Sequence, residues 1–215
     1  MTSNDVSSKT KPIACIVMPT YNEAKNIEVI IPKIFQNSNH IRSHRLKILV
    51  VDDSSPDGTA ECVKDLQDRF KDLHIISGEK KGLGDAYKRG FAHAINLFKP
   101  DLIIQMDADG QHSPELIPVF ISLANWGFSF IIGSRFAPGG ETINFSLWRK
   151  FLSYSGNWLI RFLGGIPRIH DCTSGYRCIK THLIQSCNFD FLSTRGYSFQ
   201  SSLLCELLRN KAKVI

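Results

Sequence analysis

Leu102-Ile103-Ile104-Gln105-Met106-Asp107-Ala108-Asp109-Gly110-Gln111-His112 joins an apolar run of strand length to two carboxylates one residue apart. Alternate residues on an extended segment point to the same side, so Asp107 and Asp109 can face one ion together. Hard oxygen ligands suit Mg2+ or Mn2+, and such an ion would in turn hold a diphosphate. The run Leu102–Met106 reads as a buried strand that delivers a metal-and-phosphate device at its end.

On either side of this strand, short β-branched runs alternate with longer amphipathic stretches, which predicts βαβ units and a mainly parallel sheet. Upstream, strands are expected at Ile13–Met18, Lys47–Val51 and Leu73–Ser77. Helices are expected over Glu23–Asn37, Thr59–Phe70 and Leu83–Phe98. Downstream, Ser113 is expected to cap a helix from Pro114 to about Asn125, with proline at the first helical position. A strand over Phe130–Gly133, a loop over 137–144 and a helix over 147–163 follow. Then come a strand over Ser174–Ile179 and a last helix over Phe199–Leu208. Lys213-Val214-Ile215 looks like the opening of another strand. The fold class is therefore α/β, with one sheet flanked by helices in a single domain over 13–215, behind a disordered polar tail over 1–12.

The chain has 215 residues, 43% of them hydrophobic and 21% charged, the proportions of a globular domain with a real core. No apolar run approaches the roughly 18 residues that span a bilayer, and the polar start lacks the apolar core of a secretory signal. The net charge of +6 favours acidic partners such as a phosphorylated substrate. Lysines and arginines are scattered, without the aromatic-basic alternation of a nucleic-acid module. The six cysteines form no C-x-x-C pair and read as reduced structural thiols rather than zinc ligands.

Other strand ends also carry polar chemistry, and strand ends are where an open α/β sheet binds ligands. Pro19-Thr20-Tyr21-Asn22-Glu23 places an aromatic that can stack on a base and an acid that can accept from a base or ribose. The same residues can be a turn and a helix-terminal acid. Asp52-Asp53-Ser54-Ser55-Pro56-Asp57-Gly58 follows the second strand. Its acids can grip a ribose, and Asp57 can cap the next helix. Lys80-Lys81-Gly82-Leu83-Gly84 permits close backbone approach to an anion but is no P-loop. Arg135 follows the fifth strand, and Arg149 lies just inside the 147–163 helix. Guanidinium groups suit diphosphates, although Arg149 can equally be a solvated helix face. Asp171-Cys172-Thr173-Ser174-Gly175-Tyr176-Arg177 mixes acid, hydroxyls and arginine and suggests an acceptor pocket, or a structural turn. The 147–163 helix pairs an aromatic face with Arg149, Lys150, Arg161 and Arg168. That pattern fits a core helix better than an interfacial membrane element.

Alternatives to the metal-and-phosphate reading fit poorly. An EF-hand needs Gly where His112 stands and Glu where Pro118 stands. A haloacid-type phosphatase uses D-x-D-G near the start of the chain and continues with Thr. A receiver domain needs a single phosphoacceptor Asp and a later Lys. Gln111 can add one more oxygen ligand, and His112 is either helix-entry packing or a site residue.

Taken in order, six segments resemble glycosyltransferase family 2, most nearly its dolichol- and polyprenol-phosphate mannose synthases. They are Met18–Glu23, Val50–Thr59, Gly82–Tyr87, Met106–His112, Gly133–Arg135 and Asp171–Arg177. The resemblance implies a GT-A (Rossmann-like) fold and inverting transfer from a nucleotide-sugar, GDP-mannose foremost, to a polyprenyl or dolichyl phosphate. It implies that Pro19, Tyr21, Glu23, Val50 and Asp52, with Asp107 and Ala108, hold the nucleotide. Asp107, Asp109 and Gln111 would hold Mg2+ or Mn2+. Asp109, Arg135, Arg149 and Asp171 would be the catalytic positions. Against the family pattern the domain is expected to be short at its C-terminus. Peripheral attachment to the cytoplasmic face of a membrane is expected, with an anchoring subunit as a possible partner. A UDP-sugar transferase, a non-catalytic nucleotide-sugar-binding paralogue and a phosphoryl-transfer enzyme are the rival expectations.

Overall fold

In a computed structural model the described residues are 10–136, 169–192 and 196–215. The expected loop over 137–144 and helix over 147–163, with Arg149, Arg161 and Arg168, lie outside them. So does most of the expected N-terminal tail.

Among the described residues six strands form one sheet: β1 (Ile13–Thr20), β2 (Arg45–Asp52), β3 (Leu73–Ser77), β4 (Leu102–Gln105), β5 (Phe130–Ile132) and β6 (Arg177–Lys180). Their spatial order is β3-β2-β1-β4-β6-β5. β1 pairs in parallel with β2 and with β4, Ile16 lying between Ile48 and Ile104. β6 runs antiparallel to both neighbours, so the sheet is mixed and mainly parallel. Val214 forms a parallel bridge to Phe130, which bears out the strand opening expected at the last residues.

Helices α1 (Ala24–Ser38), α2 (Thr59–Gln67), α3 (Leu83–Phe98), α4 (Ile117–Asn125), α5 (Thr181–Gln185) and α6 (Gly196–Arg209) flank the sheet. Strand alternation sorts the core into two layers. Ile16, Met18, Ile48, Val50, Ile104 and Met106 pack with Ile27, Ile31 and Ile34 of α1 and Ile117 and Phe120 of α4. Val17, Leu49, Val51 and Ile103 pack with Tyr87 and Phe91 of α3 and Phe199 and Leu203 of α6. Each fully buried aliphatic or aromatic side chain contributes about 1.5–3 kcal/mol.

The helix expected from Pro114 begins differently. Pro114–Leu116 is a 3-10 turn, and the α-helix starts at Ile117. Pro118 has no N–H to bond the carbonyl four residues back, and the Ile117 N–H reaches Pro114 O instead. Ser113 makes no side-chain cap bond; its hydroxyl donates to Glu115. The expected strand over Ser174–Ile179 begins only at Arg177; before it, Ser174 Oγ accepts the Tyr176 N–H in a local turn. All six cysteines are free thiols, four of them buried.

The chain leaves β1 toward β2 on one side and later crosses to β4 on the other. The gap between β1 and β4 is therefore the topological switch point, where such sheets bind ligands. Tyr21 and Asp107 stand just past the ends of these two strands.

Candidate functional site

Asp107 leaves β4 half-exposed, Ala108 turns inward at 2% exposure, and Asp109, Gly110 and Gln111 are exposed. The loop is built by its own polar groups. Asp109 Oδ1 accepts the Gln111 N–H at 3.0 Å, and Gly110 adopts φ +79°, where a side chain would be strained. Asp107 Oδ1 accepts the Tyr87 hydroxyl at 3.1 Å. Tyr87 lies within the 82–87 stretch and is fully buried; burial pushes its phenol well above the ordinary value, so it is a permanent donor to the carboxylate.

His112 packs at the entry to the following helix and also braces the acidic loop. Its Nδ1 accepts the Asp107 backbone N–H at 2.9 Å, and its ring stacks on Tyr176 at 4.7 Å and 8°. Tyr176 is pinned in turn by donating to Ser113 O at 2.7 Å. A backbone N–H can only donate, so Nδ1 carries no proton and the neutral ring holds its proton on Nε2. Burial lowers the imidazole pKa, in keeping with a neutral ring. Nε2 stands 3.9 Å from Asp107 Oδ2, beyond hydrogen-bond reach.

Arg135 and Asp171 form the second cluster. Arg135 Nε donates to Asp171 Oδ2 at 2.8 Å and Nη2 to Oδ1 at 2.9 Å, a fork-to-fork pair. Nη2 also reaches Thr173 Oγ1 at 2.8 Å. Burial alone would raise the Asp171 carboxyl; the Arg135 hydrogen bonds and charge outweigh it and hold the group below the usual range. Asp171 is 1% exposed, and both of its oxygens accept from Arg135.

On the β1 and β2 side, Asp52 is buried and accepts from Thr20 Oγ1, Ser55 N and Ser55 Oγ at 3.1, 2.9 and 2.6 Å. Asp57 accepts from both Thr59 N, at the start of α2, and Ala24 N, at the start of α1. Tyr21 is 38% exposed, and Lys80 Nζ lies 3.2 Å above its ring centroid. Glu23 is half-buried and accepts from Asn26 Nδ2, while Pro19 is half-buried at the end of β1. Val50 is fully enclosed in the core below these residues.

The family model for glycosyl transferase family 2 matches residues 15–185, most of the chain and every motif described above. The chain belongs to glycosyltransferase family 2. Among the family's curated members it is similar to the polyprenol monophosphomannose synthase of Mycolicibacterium smegmatis, 35% identical over 93% of this chain and 74% of that one. It is also similar to the undecaprenyl-phosphate mannosyltransferase of Micrococcus luteus, 30% identical over 93% of this chain and 79% of that one. Its fold is shared with glucosyl-3-phosphoglycerate synthase from Mycobacterium tuberculosis, solved in complex with Mn2+, UDP-glucose and glycerol 3-phosphate. The TM-score is 0.67 at 18% identity, over 93% of this chain and 66% of that one. These matches bear out the family resemblance and the GT-A fold class.

Within this family 2 domain the structure brings Asp107, Ala108, Asp109 and Gln111 together on one loop. Tyr21 and Glu23 stand on the other side of the switch point. It pairs Arg135 with Asp171 and turns Asp52 inward as a brace for its own loop. Tyr87 and His112 grip Asp107 and were not among the expected ligand or catalytic positions. Tyr87 carried one sequence signal: a tyrosine on the buried side of a helix needs a partner for its hydroxyl. Two carboxylates and a carboxamide on an accessible loop are a donor set of hard oxygens that fits a divalent cation. Among the described residues, no helix is long and apolar enough to cross a membrane.

Proposed function

We propose that this chain is a polyprenyl-phosphate mannosyltransferase that moves mannose from GDP-mannose to the phosphate of a polyprenyl or dolichyl chain, with inversion at the anomeric carbon. The observation that carries the reading is the Asp107/Asp109 loop at the switch point, in a chain 35% identical along most of its length to a polyprenol monophosphomannose synthase. The catalytic domain is read as 13–215, behind a polar tail.

Asp107, Asp109 and Gln111 would hold Mg2+ or Mn2+, and Mn2+ accompanies the nucleotide-sugar in the glucosyl-3-phosphoglycerate synthase complex. Such an ion supplies charge neutralisation to the leaving diphosphate. The remaining tasks fall to the chain itself. A phosphate monoester is already an anionic nucleophile and needs no strong general base. This agrees with Asp171 being committed to Arg135 rather than poised as a base. Alignment of donor and acceptor is worth up to about 7–11 kcal/mol. Tyr21 and Glu23 take the nucleoside side. Arg135, oriented by Asp171 and about a quarter exposed, presents a cation toward phosphate. Arg149 would add a second. The acceptor's lipid tail places the enzyme peripherally at the cytoplasmic face of a membrane, with or without an anchoring subunit.

The experiment is transfer of radiolabelled sugar into a lipid-extractable product, with GDP-mannose and UDP-glucose as alternative donors and polyprenyl phosphate as acceptor. Label transfer from GDP-mannose alone is the expected result. Transfer only from UDP-glucose overturns the donor, and nucleotide-sugar binding without transfer to lipid overturns the activity.

A further inference from the structure

Behind Asp107, on the sheet face covered by α3 and α6, lies a buried polar cluster that the proposed reaction leaves without a role. Gln105 stands two residues before Asp107 on the same side of β4 and is fully buried. Its Nε2 donates to Gln200 Oε1 on α6 at 3.4 Å. Gln200 is itself 2% exposed, and its backbone carbonyl accepts from Arg177 Nη1 at 2.8 Å. Arg177 is fully buried and also donates to Cys172 O at 3.0 Å, so the cluster ties α6 to the 171–177 segment.

The cluster is only half-satisfied. Gln200 Nε2, Gln105 Oε1 and Arg177 Nε are buried and have no hydrogen-bond partner among the described residues. A buried donor without an acceptor carries the full cost of its lost hydration, and an apolar core of the same shape would avoid it. Where the unpaired amide points is informative. A Cβ added to Gly175 would stand 3.0 Å from Asp107 Oδ2, 3.5 Å from His112 Cε1 and 3.6 Å from Gln200 Nε2. The absent side chain of Gly175 leaves a notch faced by the Asp107 carboxylate and the Gln200 amide. A carboxylate across that notch favours the N–H side of the amide over its oxygen, which fixes the orientation of the group.

We propose that Gln200 is a positioning residue for Asp107: its unpaired amide N–H is the donor that Asp107 Oδ2 takes up when the site is loaded. Tyr87 holds Oδ1, so the two donors together set the plane of the carboxylate. Gly175 is the small residue that lets α6 reach it. This rests on the proposed role of Asp107 as a metal ligand and extends it to residues outside the motif loop. Partners of this kind typically change metal affinity by about ten-fold or more when removed.

The test is Mn2+ binding in the presence of GDP, followed by electron paramagnetic resonance, with thermal melting as the control for folding. Gln200→Met keeps length and packing and removes the donor. The double variant Gln105→Leu/Gln200→Met also removes the partner left behind. Both should melt within a few degrees of the parent, bind metal-free GDP as well, and bind Mn2+ about ten-fold more weakly. Unchanged Mn2+ affinity in Gln200→Met overturns the assignment of Gln200 alone. Failure of both variants to fold also overturns it, because the amide is then needed for the fold itself. No Mn2+ binding by the parent overturns the metal reading on which the assignment rests.

Discussion

His112 Nδ1 accepts the backbone N–H of Asp107, so the residue that closes the acidic loop also fixes the peptide that opens it. The imidazole is thereby committed to one tautomer, and its ring is stacked on Tyr176. His112→Phe keeps the stack and removes the acceptor. It should cost about 1–3 kcal/mol, the penalty of an unmade hydrogen bond. In a chain of this size that lowers the melting temperature by about 2–4 °C per kcal/mol. His112→Asn can restore an acceptor oxygen and should recover part of the sugar transfer that the phenylalanine variant loses. Calorimetry and the transfer assay check both, and equal activity in the two variants would remove the role of the hydrogen bond.

Gly90 gives a stability prediction in which two effects oppose each other. It sits inside α3, where Gly→Ala ordinarily gains about 1 kcal/mol of helix propensity. A Cβ there would stand 2.4 Å from Val17 Cγ1 and 2.9 Å from Val51 Cγ2, on the strands beneath. Overpacking of this kind costs about 1–3 kcal/mol and here exceeds the propensity gain. Gly90→Ala should therefore lower the urea midpoint, and a rise would mean that α3 does not approach the sheet this closely.

Much of this architecture was written in local pattern. β3 and α3 fall on their expected residues because the periodicities are unbroken and because Gly78 and Gly82 interrupt the chain between them. The acids at the strand ends were legible for the same reason. What was not legible depends on distant residues meeting. Tyr176 reaches His112 across 64 positions, and Gln200 reaches Gln105 across 95. No periodicity encodes those pairs. The helix beginning at Pro114 opens as a 3-10 turn for a local reason: Pro118 lacks the N–H that would bond Pro114 O. Tyr21 is exposed, as an aromatic able to stack on a base would be, and Lys80 lies over its ring, a contact between residues 59 positions apart that no local pattern encodes.

Asp171 supplies a pH dependence. Its folded pKa is depressed, with the Arg135 interactions outweighing burial. The folded state therefore binds fewer protons than the unfolded state in acid. The contribution is fully present above the ordinary carboxylate value of about 3.9 and is lost as pH falls through the lower folded value. Asp171→Asn should remove this acid-limb dependence. It should also cost about 2–3 kcal/mol at neutral pH, less than a fully buried pair because Arg135 is about a quarter exposed. Urea unfolding from pH 2.5 to 7 checks it. Parallel curves for parent and variant would show that the pair does not govern acid stability.

Asp109 offers a sharper test of the metal reading than Asp107. Removing the Asp107 carboxylate also strips Tyr87 of its acceptor, so a loss of activity would mix chemistry with a disturbed core. Asp109 is exposed, and among the described residues its one internal bond is from the Gln111 N–H to Oδ1. Asparagine keeps that oxygen and its turn geometry and removes only the charge. Asp109→Asn should therefore leave stability within about 0.5 kcal/mol, as for a surface substitution. It should lower sugar transfer by about 100-fold or more, the scale on which a lost charge-stabilising group acts on a developing anion. Higher Mn2+ should restore part of the rate, since a weakened site still fills by mass action. A variant that keeps parental turnover at low Mn2+ would show that the second acid of the loop does not serve the ion, whatever Asp107 does.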